Sequence, residues 1–212
     1  MNDNIKAYLA SNIPERNFKV QQMEEYAQAN RIPIMDPVSI HFVQQLLYLN
    51  KPRRILEIGT AIGYSAIRMI EASPKAKLVT IERDEVRYNE AVNNVRTYGL
   101  QEQIQIIFGD ALEELKDLQN DELFDVILID AAKGQYRRFF ELSSPLLTEN
   151  GIIITDNVLF RGYVAQPELT PPRYKKMVEK LISYNEWLMH NPGFTTSIVP
   201  VGDGIAISIK QT

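Results

Sequence analysis

The stretch Arg54-Ile55-Leu56-Glu57-Ile58-Gly59-Thr60-Ala61-Ile62-Gly63-Tyr64-Ser65 decides the fold. A short apolar run, Arg54–Ile58, ends in a turn that carries two glycines, and a helical pattern follows. Further apolar runs sit at Leu78–Ile81, Ile104–Phe108, Val126–Ile129 and Ile152–Thr155, separated by helical segments. Continuous apolar strands alternating with helices predict a parallel sheet buried on both faces. Thr195–Pro200 and Ile205–Ile209 flank Val201-Gly202-Asp203-Gly204, a hairpin signal. The expected fold is α/β: a Rossmann-like, doubly wound, mostly parallel seven-stranded sheet with a C-terminal antiparallel hairpin.

The first 50 residues lack this rhythm and predict helices. Met23, Tyr26 and Ala27 give one apolar face, and Ile40, Val43 and Leu47 another. Asp36-Pro37 reads as an N-cap and first helical position. With 212 residues and 45% hydrophobic content, one domain is expected. It divides into a helical cap over 1–50 and a Rossmann-like core over 51–212.

Composition narrows the chemistry. The absence of cysteine excludes disulfides, thiolate zinc sites and cysteine nucleophiles. A net charge of -4 means that any nucleic-acid partner must meet a local basic patch. The opening Met1-Asn2-Asp3-Asn4 lacks a signal-peptide layout, and no apolar run approaches a membrane span. A cytoplasmic protein without a membrane partner is expected.

Ligands of doubly wound sheets bind beyond the carboxyl ends of the strands. Glu57-x-Gly59-x-x-x-Gly63 lies at the first of these ends. It is not G-x-G-x-x-G, which counts against a nicotinamide dehydrogenase. Glu82 ends the second run, where an acid accepts both hydrogen bonds of a ribose diol; its bland alternative is a solvated acid. Together the two features favour a nucleoside cofactor. Asp110 either meets an adenine amino group or caps the helix over Ala111–Leu118, and both can hold. Met35 and Ser65, on spacing alone, are ordinary packing and first-turn residues.

The fourth and fifth runs end in Asp130-Ala131-Ala132-Lys133 and Asp156-Asn157. On neighbouring strands, Asp130, Asp156 and Asn157 converge as three oxygen ligands, which suit Mg²⁺ or another hard cation. The alternative is two acids capping loops. Lys133 is a candidate base, because a lysine beside a cation releases its proton more readily; otherwise it is a surface lysine paired with Asp130. His41 and His190 lie away from strand ends and read as structural.

These residues resemble the metal-dependent class I O-methyltransferases, the family of catechol and caffeoyl-CoA O-methyltransferases. The likeness is carried, in order, by Leu56–Thr60 with Gly63-Tyr64-Ser65, Ile81-Glu82-Arg83, Gly109-Asp110-Ala111, Asp130–Lys133 and Asp156-Asn157-Val158. It implies that Met35, Glu57, Gly59, Ser65, Glu82, Asp110, Ala111 and Asp130 contact S-adenosylmethionine. It also implies that Asp130, Asp156 and Asn157 bind Mg²⁺ and that Lys133 is the base.

A narrower likeness is to the bacterial tRNA 5-hydroxyuridine methyltransferases. It rests on Asp130–Tyr136, Asp156–Phe160, Tyr184–Met189 and Pro200–Gly204. It implies a homodimer acting on the wobble uridine of a tRNA anticodon loop. Arg137, Arg138, Arg161, Arg173, Lys175 and Lys176 would form the basic patch, and Phe160 or Tyr163 would stack on the base; the alternative is a solvated helix face at Lys175 and Lys176 and a packing role for Phe160. Small vicinal-dihydroxy substrates, catechol-like or caffeoyl-CoA-like, are the alternative acceptors. An S-adenosylmethionine-sensing binding protein is the non-enzymatic alternative, and it leaves Asp130, Lys133, Asp156 and Asn157 unexplained together.

Overall fold

The computed structural model describes residues 3–118 and 122–211. Met1 and Asn2, part of the stretch read above for a leader, lie outside them. Three helices come first: α1 (Asp3–Asn12), α2 (Phe18–Asn30) and α3 (Pro37–Asn50). Alternation then sets in, with β1 (Arg54–Ile58), α4 (Tyr64–Ala72), β2 (Lys77–Glu82), α5 (Glu85–Tyr98), β3 (Ile104–Phe108), α6 (Ala111–Asp117), β4 (Phe124–Ile129), α7 (Tyr136–Ser143) and β5 (Leu147–Thr155). The chain closes with α8 (Lys175–Met189) and the hairpin β6 (Phe194–Val199) and β7 (Ile205–Lys210).

The seven strands form one sheet in the order β3-β2-β1-β4-β5-β7-β6. Strands β1 to β5 pair in parallel, with β3 at the edge, and β7 runs antiparallel to both β5 and β6. The order reverses at β1, where β2 lies on one side and β4 on the other. That reversal opens a crevice at the carboxyl edge of the sheet.

Side-chain alternation divides the core into two layers. Ile55, Leu78, Val126, Leu128 and Ile154 pack with α2, α3 and α4 on one face. Leu56, Ile58, Ile127, Ile129 and Ile153 pack with α6, α7 and α8 on the other. The inner strands β1, β4 and the end of β5 are apolar on both sides for this reason.

Local signals hold where local physics controls them. The Asp36 carboxylate accepts from the Val38 and Ser39 amides at 3.0 and 3.2 Å, with Pro37 at the first helical position. Ile40, Val43 and Leu47 are buried as the spacing predicts. Tyr26 departs from its predicted face. Met23 and Ala27 are buried, whereas Tyr26 is 45% exposed and its hydroxyl donates to Glu90 at 2.8 Å. β5 begins earlier than its apolar run, because Leu147 pairs with Phe124 across a register shift and carries polar Thr148–Asn150 into the strand. No described helix is long and apolar enough to cross a membrane.

Ile127 lies in a central strand and is fully buried. Ile127→Ala is expected to destabilise the protein by about 2–5 kcal/mol, read as a lower urea midpoint at unchanged slope.

Candidate active site

One cleft of about 390 Å³ lies at the carboxyl edge of the sheet. It is bounded by the ends of β1, β2, β4 and β5, by the start of α6 and by the segment before α3. Of the residues named from the sequence for cofactor, metal and base, Met35, Gly59, Ser65, Glu82, Asp110, Ala111, Asp130, Lys133, Asp156 and Asn157 lie in its lining, and Glu57 forms the layer beneath. Phe160, Tyr163 and the six basic residues of the patch lie outside the lining.

The turn after β1 builds the floor. Gly59 has φ +101, and a side-chain carbon there would overlap the carbonyl oxygen of Asp130. Only glycine permits this approach of the turn to the end of β4. The N-terminus of α4 has no side-chain cap, so its first amides remain open to a ligand.

Glu57 is fully buried. One carboxylate oxygen accepts from the Ser65 hydroxyl, and the other accepts from the Thr80 hydroxyl at 2.6 Å. Thr80 is 2.6 Å from the Thr60 hydroxyl, which continues the chain into the turn. Burial pushes Glu57 up to about 8, the two hydroxyl bonds pull the other way, and the charges of Asp130 and Glu82 add to the rise. A cationic group arriving above this carboxyl would favour its ionised form.

Glu82 is buried rather than solvated. Its carboxylate accepts from the Ala61 amide and the Asp84 amide, each at 2.8 Å. These bonds fix it at the end of β2, and each oxygen keeps accepting capacity toward the cleft. Asp110 does cap α6, accepting from the Leu112 amide at 2.9 Å, and it also lines the cleft beside Ala111. Met35 is buried in the segment before α3 and faces the same space.

β4 and β5 pair in parallel, so their ends lie side by side. Asp156 is fully buried, and its Oδ1 accepts from the Asn157 amide at 2.7 Å. Its Oδ2 is buried with no hydrogen-bond partner. Asn157 holds a left-handed backbone, φ +58. Its side-chain oxygen accepts from the Lys133 ammonium, which also lies 6.0 Å from the centre of the Phe160 ring. The Tyr136 hydroxyl donates to the Asp156 carbonyl at 3.0 Å. Burial raises the pKa of both Asp130 and Asp156. Their mutual repulsion raises Asp156 further, and Lys133 opposes the rise at both.

The donor set fits a hard cation. Asp130, Asp156 and Asn157 all line the cleft, which puts two carboxylates and an amide oxygen along one edge, and the buried Oδ2 of Asp156 lacks a partner. No group of three His, Cys, Asp or Glu forms a candidate metal cluster among the described residues; here the third donor is an asparagine.

Sequence reading assigned no role to Thr80, which bonds Glu57, or to Thr60, which bonds Thr80 and lines the cleft. Thr80 is a lone hydroxyl between apolar neighbours in β2 and carries that much signal. Gln135 and Phe139 also line the cleft and had none. Neither histidine lines it.

The profile of the O-methyltransferase family matches residues 11–211. The catechol O-methyltransferase of Niastella koreensis is 35% identical over 178 residues, covering 80% of this chain and 79% of that protein. A Staphylococcus aureus structure, named provisionally as a caffeoyl-CoA O-methyltransferase, is 41% identical with a TM-score of 0.90, covering 97% of this chain and 98% of that one. An SAH-bound methyltransferase from Podospora anserina is 28% identical with a TM-score of 0.89, covering 99% and 95%.

Because Glu57 rises from about 4.5 to about 8 on folding, it binds a proton more tightly in the folded state. Its stabilising share is complete below the unfolded value and is lost as pH rises toward 8. Glu57→Gln abolishes that dependence. Urea unfolding of cofactor-free protein should therefore show wild type losing ground to Glu57→Gln between pH 5 and 8.

Proposed function

The chain belongs to the O-methyltransferase family, as an S-adenosylmethionine-dependent enzyme of the caffeoyl-CoA and catechol type, and we propose that it methylates one of two adjacent oxygens on a planar acceptor held by Mg²⁺. The observation that carries this reading is the pairing of Asp130 and Asp156 at the ends of neighbouring strands, one with an unpartnered buried oxygen. The catechol O-methyltransferase of Niastella koreensis supports a small catechol-like acceptor.

Asp130, Asp156 and Asn157 would hold the cation. When bound, S-adenosylmethionine supplies the methyl group and the cation lowers the cost of ionising an acceptor hydroxyl. Transfer breaks the sulfur–methyl bond as the oxygen–methyl bond forms, and the sulfonium becomes a neutral thioether. The chain's own residues position and exclude water. Glu57 and Ser65 would receive the amino-acid end of the cofactor, Glu82 the ribose, Asp110 and Ala111 the adenine, while Met35 covers the methyl. Gly59 and Asp130 bring the turn after β1 against the end of β4, which would set an acceptor held there beside the methyl group of the cofactor.

Lys133 would take the acceptor proton. Its bond to Asn157 holds the amine at the edge of the donor set. The neutral amine can keep that bond while its lone pair faces the acceptor.

A second reading replaces the catechol with 5-hydroxyuridine in a tRNA anticodon loop. Its 5-oxygen and 4-carbonyl form the same vicinal pair. The specific observation in its favour is that Arg137, Arg138, Arg161, Arg173, Lys175 and Lys176 are all exposed and follow β4 and β5 in the chain. Phe160 and Tyr163, half-buried with ring centres 6.0 Å apart, would receive the base.

Asp156→Ala, or excess chelator, is expected to lower turnover at least roughly 100-fold while calorimetry shows SAH still binding. Full activity in chelator would remove the metal role. Lys133→Met is expected to lower kcat by roughly 100-fold and to flatten the ascending limb of the pH–rate profile, where a general base loses its proton. Labelled cofactor, offered with a catechol and with tRNA lacking 5-methoxyuridine, separates the acceptors. Label in the catechol alone supports the first reading, and label in methoxyuridine supports the second.

A further inference from the structure

The turn Val201-Gly202-Asp203-Gly204 joins β6 to β7, and the chemistry described above makes no use of it. It lies against the loop that follows β5. That loop is strained: Asn157, Phe160 and Arg161 have φ of +58, +35 and +56. Non-glycine residues adopt such angles only where surrounding structure imposes them.

The hairpin turn supplies that constraint. The Val158 amide donates to the Gly204 carbonyl at 3.0 Å, and the Leu159 amide donates to the Asp203 carbonyl at 2.9 Å. The Arg161 amide donates to the Asp203 carboxylate. Asn185 of α8 adds a side-chain bond to the Val158 carbonyl at 2.9 Å. On its other side the turn abuts the N-cap of α3. A side-chain carbon at Gly202 would overlap Ser39 and Asp36, next to Met35. The turn therefore bridges the two walls of the cleft.

We propose that Asp203 is a positioning residue for the donor set: its carboxylate holds Arg161, and through it the strained loop, so that Asn157 stands in the cleft lining and Phe160 beside Lys133. Its bond is a charge-assisted one to a backbone amide, the stronger kind. Lost, it lets Phe160 and Arg161 relax toward ordinary backbone angles, and the loosened loop no longer imposes the left-handed angle of Asn157, whose side chain then leaves its place beside Lys133. This inference rests on the metal reading above.

Mn²⁺ alone, titrated into the full-length protein by calorimetry, tests it, with SAH binding measured separately. Wild type that binds no Mn²⁺ would sink the metal reading itself. If wild type binds, Asp203→Ala is expected to weaken Mn²⁺ by roughly 10–100-fold, the range for residues that orient metal ligands, with SAH affinity unchanged. The double variant Asp203→Ala/Arg161→Gly is expected to recover most of that affinity, because glycine adopts the left-handed angle freely. Equal Mn²⁺ affinity in wild type and Asp203→Ala overturns the proposal, as does a double variant no better than Asp203→Ala. Should Asp203→Ala not fold, Asp203→Asn decides. It keeps the acceptor oxygen, so amide-exchange protection at Arg161 and Mn²⁺ affinity should both persist. Persistent protection with lost affinity overturns the assignment.

Discussion

A single row of backbone hydrogen bonds sets the level at which this protein does its chemistry. The Gly109 amide donates to the Glu82 carbonyl, Gly59 to Ile81, Asp130 to Ile58 and Asp156 to Ile129, all at 3.0–3.1 Å. Each bond extends the parallel ladder one step beyond the strands. The consequence is geometric: the turn after β1, Asp110 next to Gly109, and the acids Asp130 and Asp156 leave the sheet on one line. A register slip in any of these pairings would remove its residue from that line and would also turn buried strand faces the wrong way. The apolar core and the cleft are therefore specified together.

That placement concentrates negative charge in a buried space. Glu57, Asp130 and Asp156 all have raised pKa values, with burial the leading cause at each. An apo site of this kind is costly, because buried carboxyls must either hold a proton or find a counter-charge. A sulfonium cofactor with an ammonium group supplies one such counter-charge, and the proposed divalent cation would supply another. Stability given up in the empty cleft thus becomes binding energy for ligands of positive charge, in keeping with the pattern of functional sites. Lys133 offsets part of the charge at the metal side, and its bond to Asn157 joins it to the same arrangement.

Much of this was legible in the sequence. The strand-end acids stood out because chain direction and parallel topology oblige such residues to meet at one edge. Asp36 and Asp110 were legible as caps because a cap is a local interaction. What escaped is long-range or hidden by polarity. Thr80 lies inside a strand read only for its apolar residues, and its bond to Glu57 depends on the β1–β2 register. Tyr26 has helical spacing for the core but finds Glu90 of α5 at the surface. The polar start of β5 is strand only because β4 pairs with it. The turn at Asp203 was legible as a hairpin, but its hold on Arg161 needs the folded sheet to bring two distant segments together. Family likeness named the ligand roles of Met35 and Ser65, which spacing alone reads as ordinary.

The central claim is that the ends of β4 and β5 form one cation site directly beside the cofactor floor. A crystal structure with SAH and Mn²⁺, phased on the anomalous signal of manganese, addresses it most directly. The account expects one strong peak bounded by Asp130, Asp156 and Asn157, with SAH lying across Gly59 and Glu82. SAH in the cleft with no manganese at those three residues, or with manganese held elsewhere, would contradict it.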